Sequence, residues 1–275
     1  MKIGCLGPQG TFSQVALSQF MLGKGAYDEV LMKSIPELIL AADKGLVDYA
    51  FVPVENSIEG GINTTLDMLA FDTELTINAE YVFKVHQDLM VKQDLTKAEI
   101  EVIYSHPQPI GQCIKYIDEN LKAARIEMVA STAEAAKIVA SSSQKAAVIG
   151  GCNLAQLYGL SVLERQIEDN IENCTRFIQV GNSNAPATGQ DKTSIVFGAE
   201  HKPGYLYKML SIFNIFEINL LRIESRPAKT ILGEYVFFVD IEGHIEDKQV
   251  AQALGVVKEK AKFYSLLGSY PKSIR

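Results

Sequence analysis

The hydrophobic pattern of the first 165 residues switches repeatedly between the period of a strand and that of a helix. Short apolar runs and one clean alternation predict strands at 2–6, 47–55, 76–85, 100–106, 126–130 and 146–150. Helical spacing predicts helices at or within 13–22, 36–45, 58–70, 109–121 and 132–141. This alternation indicates an α/β domain, with an open, mostly parallel sheet that binds ligands beyond the carboxyl ends of its strands.

A different order follows residues 181–190, which carry no charge and predict a linker. Beyond it, the pattern predicts a strand, a helix, two strands, a second helix and a short last strand, in the order 193–200, 205–216, 220–225, 234–243, 247–261 and the C-terminal residues. This βαββαβ order is that of a ferredoxin-like unit. Its own helices leave one sheet face uncovered, so we expect a homodimer through this unit.

Composition narrows the classes of function. The chain has 275 residues, a net charge of -7 and no basic patch, which argues against nucleic acid as a partner. Its four cysteines and four histidines are scattered, so no metal site or disulfide framework is predicted. No apolar run is long enough to span a bilayer, and the N-terminal residues lack the apolar stretch of a signal peptide, which predicts a cytoplasmic protein without membrane contacts.

Four polar clusters stand where predicted strands give way to helices. They are residues 7–13 (GPQGTFS), 55–61 (ENSIEGG), 105–108 with Gln112, and 131–132. Each alone is explained by a turn and a helix cap. Together they present hydroxyls, amides and free helix N–H groups at one edge of the sheet, which predicts a site for a small anion. Arg176 would add a cation with bidentate geometry for a carboxylate.

Longer motifs carry a family resemblance. GPQGTFS (7–13), VPVENSIEGG (52–61), YSHPQPIGQC (104–113) and NCTRF (173–177), in that order, resemble prephenate dehydratase. The segment FEINLLRIESRP (216–227) resembles the ACT regulatory domain of the same family. The resemblance covers essentially the whole chain.

The resemblance implies the architecture in more detail. A catalytic domain over 1–180 would have the two lobes of a periplasmic-binding-protein fold, with the first over about 1–75 plus 170–180 and the second over about 76–165. Residues 181–190 would link it to an ACT domain over 191–275. Because the motifs begin at Gly7, a chorismate mutase domain has no room before them, and the chain is expected to be monofunctional.

The implied reaction converts prephenate to phenylpyruvate in L-phenylalanine biosynthesis, without a cofactor. The resemblance assigns the essential hydroxyl to Thr175, which is expected to donate a hydrogen bond, or relay a proton, to the leaving hydroxyl group. The other residues implied in catalysis are Asn56, Ser57 and Gln112. Those implied in substrate binding are Thr11, Glu55, Ser105, Gln108, Thr132, Arg176 and Phe177.

Two assignments stay open at this point. Arg176 either faces the substrate or pairs with an acid on the far side of its strand, because neighbours in a strand alternate. By ordinary pKa, the role of formal acid suits Glu55, Glu59 or His106 better than a threonine.

The family binds phenylalanine between paired ACT domains, as a feedback inhibitor. The matching residues are Gly204, Tyr205, Leu206, Asn219, Leu220, Glu224, Ser225, Arg226 and Pro227. Tyr205 departs from the alanine that is usual there, and its large side chain either fills part of the effector pocket or turns outward. A homodimer or a tetramer would serve this arrangement. Two rival functions remain, arogenate dehydratase and a non-catalytic amino-acid sensor, and the second has no need for the Thr175 hydroxyl.

Overall fold

The computed structural model describes residues 1–92, 94–198, 202–228 and 234–273. The first lobe is built on one mixed sheet, in the strand order β2-β1-β3-β11-β5, with β4 paired to β3. Its strands are β1 (Lys2–Leu6), β2 (Asp28–Met32), β3 (Tyr49–Asn56), β4 (Gly60–Gly61), β5 (Thr76–Lys84) and β11 (Cys174–Gly181). Its helices are α1 (Phe12–Phe20), α2 (Ile35–Asp43) and α3 (Asn63–Asp67), which continues as a π-helical turn over Met68–Asp72.

The second lobe has a sheet of its own, in the order β10-β6-β9-β7-β8. Its strands are β6 (Asp88–Val91), β7 (Val102–Ser105), β8 (Arg125–Met128), β9 (Ala146–Gly150) and β10 (Ser161–Glu164). Its helices are α4 (Pro107–Gln112), α5 (Ile114–Asn120), α6 (Thr132–Ser141) and α7 (Asn153–Tyr158), with a 3₁₀ turn at Lys97–Glu99. The chain crosses between the lobes twice, from β5 to β6 and from β10 to β11.

The C-terminal unit has the expected ferredoxin-like order. Its strands are β12 (Asp191–Gly198), β13 (Leu220–Pro227), β14 (Tyr235–Glu242) and β15 (Phe263–Pro271), and its helices are α8 (Tyr205–Ile215) and α9 (Lys248–Lys260). The sheet order is β13-β14-β12-β15, all antiparallel. Both helices pack on one sheet face, where Phe197, Phe213 and Leu254 are fully or almost fully buried. The end of the strand predicted over 193–200 lies outside the described residues.

The structure corrects three features of the predicted fold. β5 had been expected in the second lobe, but it pairs antiparallel with β11 in the first sheet, so that the second lobe begins after it. Both sheets of the catalytic part are mixed rather than mostly parallel, because β11 and β6 each run antiparallel to their neighbours. The last strand, β15, is nine residues long rather than short. A strand's pairing partner depends on tertiary contacts, which a local pattern does not contain.

The remaining sheet face of the C-terminal unit, which we expected a second copy of the chain to cover, is covered by the first lobe. Val196, Phe238 and Tyr270 share one hydrophobic core with residues of β3 and α2. β15 lies along β5, and a Cβ atom at Gly268 would overlap the backbone of Ile77. This close approach explains the glycine. The helices of the described residues include none that is long and apolar enough to cross a membrane.

Candidate active site

A cavity of about 550 Å³ opens between the two sheets of the catalytic part. All four polar clusters meet there, although two belong to one lobe and two to the other. Sequence-predicted residues that line it are Thr11, Asn56, Gln108, Gln112, Thr132, Thr175 and Phe177. Other lining residues are Phe12, Ser13, Glu59, Gly60, Gly61, Gln87, His106 and Ser131. The two-lobed arrangement thus brings residues from opposite sheets around one space.

Thr175 reaches this cavity from β11, beside Asn56 of the neighbouring strand. The two residues are direct partners in the antiparallel pairing of β11 with β3. Asn56 Nδ2 donates a hydrogen bond of 3.0 Å to Thr175 Oγ1. Because that oxygen already accepts, the hydroxyl proton of Thr175 is left to donate elsewhere. A threonine held in this way can act as a hydrogen-bond donor to a group in the cavity.

The orientation of the Asn56 amide is fixed by its other contacts. Asn56 Oδ1 accepts from the backbone N–H groups of Ile58 and Glu59, at 2.9 and 3.1 Å. A backbone N–H can only donate, so this side of the amide must be the oxygen. The nitrogen therefore faces Thr175 and also Asn173 Oδ1, at 3.0 Å. Asn56 is 6% exposed, and its hydrogen bonds hold Thr175 to the start of the 57–61 loop.

Two helices begin at the edge of the cavity. Thr11 caps α1, and its hydroxyl also donates to the carbonyl of Leu6 at 2.8 Å. Ser131 caps α6 by accepting from the amide of Glu134 at 3.0 Å. The first turn of a helix leaves N–H groups without intrahelical partners, and the helix dipole makes this end attractive to anions. Thr132 and Ser13 follow these caps, so the cavity has helix N-termini on opposite walls.

The second lobe adds an amide pair that the sequence motifs did not reveal. Gln87 is 1% exposed, lines the cavity and donates from Nε2 to Gln112 Oε1 at 3.0 Å. Its backbone N–H donates to the buried carboxylate of Glu168 at 2.9 Å. Gln87 lies at one lobe crossing and Glu168 at the other, so this contact ties the two crossings together. A lone glutamine after a strand gives no sequence signal of its own.

The lobes also touch each other at the rim of the cavity. Asn153 Nδ2, in α7, donates to the carbonyl of Gly10 at 2.9 Å. A Cβ atom at Gly151 would come within 2.8 Å of the Phe12 ring. These contacts join the start of α1 to the second lobe.

Arg176 and Glu55 are corrected by the structure, because neither lines the cavity. Arg176 Nε lies 3.1 Å from Glu55 Oε2, and its Nη1 lies 3.3 Å from Glu80 and 2.9 Å from Asp240. Of the two open readings, the structure favours the one in which Arg176 pairs with acids on the far side from Thr175. The alternation of side chains along β11 and β3 is the physical reason. Both residues lose their assignment as substrate ligands.

Two predicted serines are also used elsewhere. Ser105 is fully buried, and its hydroxyl donates to the carbonyl of Ile149 at 2.6 Å. Ser57 Oγ accepts from the backbone N–H of Cys174 at 2.9 Å, outside the cavity lining. Ser105 therefore joins β7 to β9, and Ser57 fastens the loop after β3 to β11. Both hydroxyls support the site rather than enter it.

The cavity itself is poor in charge. Among the described residues that line it, Glu59 is the one charged side chain and His106 is the one histidine. His106 Nδ1 accepts from the amide of Gln108 at 3.3 Å, which leaves Nε2 to carry the proton of the neutral ring. Cys113, next to Gln112, is fully buried, and burial raises the pKa of its thiol well above the ordinary range. It is therefore no nucleophile at neutral pH.

The predicted effector residues lie in three places. Gly204 precedes α8 with a φ of 75°, and Tyr205 at the helix start donates from its hydroxyl to the carbonyl of Lys260. Leu206 packs against the core of the C-terminal unit. Asn219 and Leu220 lead into β13, and the Asn219 carbonyl accepts from Glu242 at 3.0 Å. Ser225 and Pro227 are exposed on that edge strand.

Glu224 and Arg226 lie between the C-terminal unit and the catalytic part. Their side chains point to the catalytic part: Arg226 Nη2 lies 2.8 Å from Asp67 Oδ2, and a Cβ atom at Gly61 would overlap the Glu224 carboxylate. In this structure they join β13 to α3 and to the loop that lines the cavity, and their expected role in effector binding stays a prediction.

Comparisons with known proteins agree with the motifs. The family model of prephenate dehydratase matches residues 3–185, and that of the ACT domain matches residues 193–259. A bifunctional chorismate mutase/prephenate dehydratase of Aquifex aeolicus is 38% identical over 274 residues, which cover 100% of this chain and 74% of that protein. A prephenate dehydratase of Mycobacterium bovis is 37% identical over 280 residues, covering 98% of this chain and 87% of the relative.

A solved structure extends this agreement to three dimensions. The prephenate dehydratase of Arthrobacter aurescens, crystallised in complex with L-Phe, superposes with a TM-score of 0.91 and 34% identity, over 99% of this chain and 90% of that one. With one family model on most of the chain and relatives similar over almost its whole length, the protein belongs to the prephenate dehydratase family and carries a C-terminal ACT domain.

Proposed function

We propose that this chain converts prephenate to phenylpyruvate in the cavity between its two lobes. One prephenate dianion and one proton give phenylpyruvate, CO₂ and water. The bond from the ring to its carboxylate breaks, its electrons complete the aromatic ring, and the C4–O bond breaks as the hydroxyl leaves as water. Aromatisation favours the products, so the protein has to orient the substrate and stabilise the departing oxygen.

The observation that carries this proposal is the hydroxyl of Thr175. Its oxygen accepts from Asn56, and its proton remains for a group in the cavity. A donor aimed at the leaving oxygen stabilises the charge that develops there, and such a contribution is typically about 10²–10⁴-fold in rate. A threonine supplies this hydrogen bond without giving up its proton, so the net proton of the reaction has another source. Glu59 and His106 are the titratable side chains at hand in the cavity lining.

The two carboxylates of the substrate are bound by neutral groups in this proposal. The described cavity lining contains no lysine or arginine. The N-termini of α1 and α6, the hydroxyl of Thr132, and the side-chain amides of Gln108 and Gln112 supply the donors. Neutral donors suit a substrate that must lose CO₂, because a strong cation at the ring carboxylate would stabilise the ground state before it breaks.

We also propose that phenylalanine inhibits the reaction through the ACT domain of a homodimer, or of a tetramer made from such dimers. The Arthrobacter aurescens relative was crystallised with L-Phe, which supports an effector site in this chain. β13 is an edge strand, and its exposed Leu221 and Ile223 offer a surface for a second copy. Tyr205 turns towards Lys260 of α9 instead of blocking the start of α8.

One assay tests the whole proposal. The purified chain is given prephenate, and phenylpyruvate is measured with and without millimolar phenylalanine. We expect production that phenylalanine suppresses. Production that phenylalanine leaves unchanged would support the enzyme and remove the feedback claim. If prephenate is inert and arogenate is consumed, the substrate is the amino analogue; if both are inert, the chain is a sensor rather than an enzyme.

A further inference from the structure

The strands that carry Thr175 and Asn56 have a second, charged face. On β11 and β3 the next residues along, Arg176 and Glu55, are also paired with each other, and their side chains leave the sheet on the opposite side from the cavity. A pair of cavity residues and an ion pair therefore stand back to back on the same two strands. A change in the position of either strand moves both pairs.

The C-terminal unit supplies partners to this ion pair. Asp240 of β14 lies 2.9 Å from Arg176 Nη1, and Arg222 of β13 lies 3.3 Å from Glu55 Oε2. Lys192 of β12 lies 2.8 Å from Glu80, which itself contacts Arg176. We call these six residues the interdomain charge cluster: Glu55, Glu80, Arg176, Lys192, Arg222 and Asp240. Each strand of the ACT sheet except β15 contributes one member.

Burial makes the contact of Arg176 with Asp240 stiff. The exposed fraction is 11% for the Arg176 side chain and 6% for that of Asp240. The Asp240 carboxylate is oriented by Ser194, whose hydroxyl donates to Oδ1 at 2.6 Å. In so dry a setting a charge pair resists separation, because neither partner can be solvated instead. The position of Arg176 is thus tied to that of β14.

The pairing of β11 with β3 is irregular beside Arg176, so a displacement of Arg176 can change the course of both strands. In the pairing of β11 with β3, Arg176 is opposite Glu55 but Phe177 is opposite Pro53, so that Val54 is an extra residue on β3. Such a bulge bends a strand and redirects neighbouring side chains, and it recurs beside active sites. Here it lies next to the Thr175–Asn56 pair. Its geometry is held on one side by the cluster.

We propose that Asp240 of the ACT domain is a positioning residue for the dehydratase reaction, which holds Arg176 across the bulge and so keeps the Thr175 hydroxyl aimed into the cavity. This inference rests on the proposed role of Thr175 as the donor to the leaving group. It makes the ACT domain part of the support of the active site. It also names the residues through which a movement of that domain would reach the reaction.

The test compares two isosteric substitutions in the full chain. Asp240→Asn replaces the carboxylate beside Arg176 with a neutral amide of the same shape. Arg176 keeps Glu55 and Glu80 as ion-pair partners in this variant. The matched control is Asp67→Asn, which weakens another interdomain ion pair of similar burial, the one with Arg226, whose members lie in α3 and β13 rather than in β3 or β11. kcat and KM for prephenate and the melting temperature are measured for both variants and the unchanged chain.

We expect Asp240→Asn to lower kcat about five- to tenfold and to leave KM within about twofold, because a small displacement of a catalytic donor slows the reaction without removing substrate contacts. Asp67→Asn should keep kcat within about twofold although its melting temperature also falls. A kcat of Asp240→Asn near that of the unchanged chain, or an equal loss in both variants, would overturn the inference. If Asp240→Asn does not fold, Ser194→Ala frees the same carboxylate from its orienting hydrogen bond and should lower kcat at least threefold.

The same measurements separate this inference from the proposed function. If the unchanged chain makes no phenylpyruvate, the proposed function fails. If it does and neither Asp240→Asn nor Ser194→Ala changes kcat, the function stands and the positioning role of Asp240 fails.

Discussion

The two faces of the β3–β11 pair differ in how they use polarity. One face presents Thr175 and Asn56 to a cavity whose described lining has a single charged side chain. The other face carries Arg176 and Glu55 into a cluster of six charges between two domains. Neutral donors surround the proposed dianionic substrate, and full charges hold the domains together. Charged side chains on one face thus hold the two domains together, whereas neutral hydrogen-bond donors on the other face surround the site of the proposed reaction.

The largest effect is expected on the cavity side, from removing the hydroxyl of Thr175. We expect Thr175→Ala to lower kcat about 10²–10⁴-fold, because the departing oxygen loses its donor. Thr175→Ser keeps the hydroxyl and should retain much more activity. Both variants are assayed for phenylpyruvate, with calorimetry to verify folding. A folded Thr175→Ala with a kcat within tenfold of the unchanged chain would exclude Thr175 from the mechanism.

On the opposite face the same kind of truncation should act on stability. Arg176→Met leaves the buried carboxylates of Glu80 and Asp240 without their shared cation, and we expect the free energy of unfolding to fall by about 3–5 kcal/mol. The matched surface change is Lys145→Met, which removes a solvent-exposed pair with Glu99 and should cost about 0–1 kcal/mol. Urea titrations measure both. Equal costs would mean that the cluster behaves as an ordinary surface network.

A smaller effect is expected from replacing Gln87, whose side-chain amide donates a hydrogen bond to the predicted catalytic residue Gln112. Gln87→Met keeps the length of the side chain but removes the hydrogen bond to Gln112. This hydrogen bond orients Gln112, and losing its contribution of about 1–1.5 kcal/mol should lower kcat/KM roughly tenfold. Gln144→Met, on the exposed surface, is the control and should leave kcat/KM unchanged. An unaltered kcat/KM in Gln87→Met would show that Gln112 needs no support from this residue.

The weakest expected effect is the acid dependence of the cluster. Burial raises the pKa of Asp240, but Arg176, Lys192 and Arg222 lower it more, so that its net pKa lies below the ordinary value of 3.8. The unfolded chain then takes up this proton first as pH falls. The carboxylate therefore stabilises the fold above the unfolded pKa, and this stabilisation is lost as pH falls through the folded pKa.

Unfolding free energies of the unchanged chain and Asp240→Asn, measured at pH 6 and then in steps below pH 4, test this sign. We expect the advantage of the unchanged chain to shrink in the acid range. A difference that stays constant down to pH 3 would mean that the pKa of Asp240 is the same in the folded and the unfolded chain. That outcome would also weaken its role as an anchor for Arg176.

Local pattern was a good guide to the elements of this fold. The helix predicted over 132–141 and the strand predicted over 146–150 have those limits in the structure, because strong periodicity and clear capping residues define both ends. The short edge strand β2 and the strand β6 gave no such signal, and both were missed. Edge strands and short buried strands lack the alternation on which such predictions depend.

Motif order determined the family and the residues on which the cavity is built. Thr175, Asn56, Gln112, Gln108, Thr11 and Thr132 were all named from the sequence, and the structure gathers them around one cavity. Gln87 was missed, because a buried amide acquires its meaning only from the side chain it contacts. The assignment of Ser105 failed for the same reason. The sequence of a strand end is the same whether its serine hydroxyl enters a cavity or donates to the neighbouring strand, as Ser105 does.

The amino-acid sequence by itself determined the α/β and βαββαβ patterns, the family and the identity of the proposed donor. Tertiary structure decided the partners: which sheet receives β5, which face of β11 carries Arg176, and where Glu224 and Arg226 point. The physical reason is the range of the interactions. Propensity, capping and periodicity act over a few residues. The ion pair of Arg176 with Asp240 joins residues that are 64 positions apart, and it forms only after two domains have packed against each other.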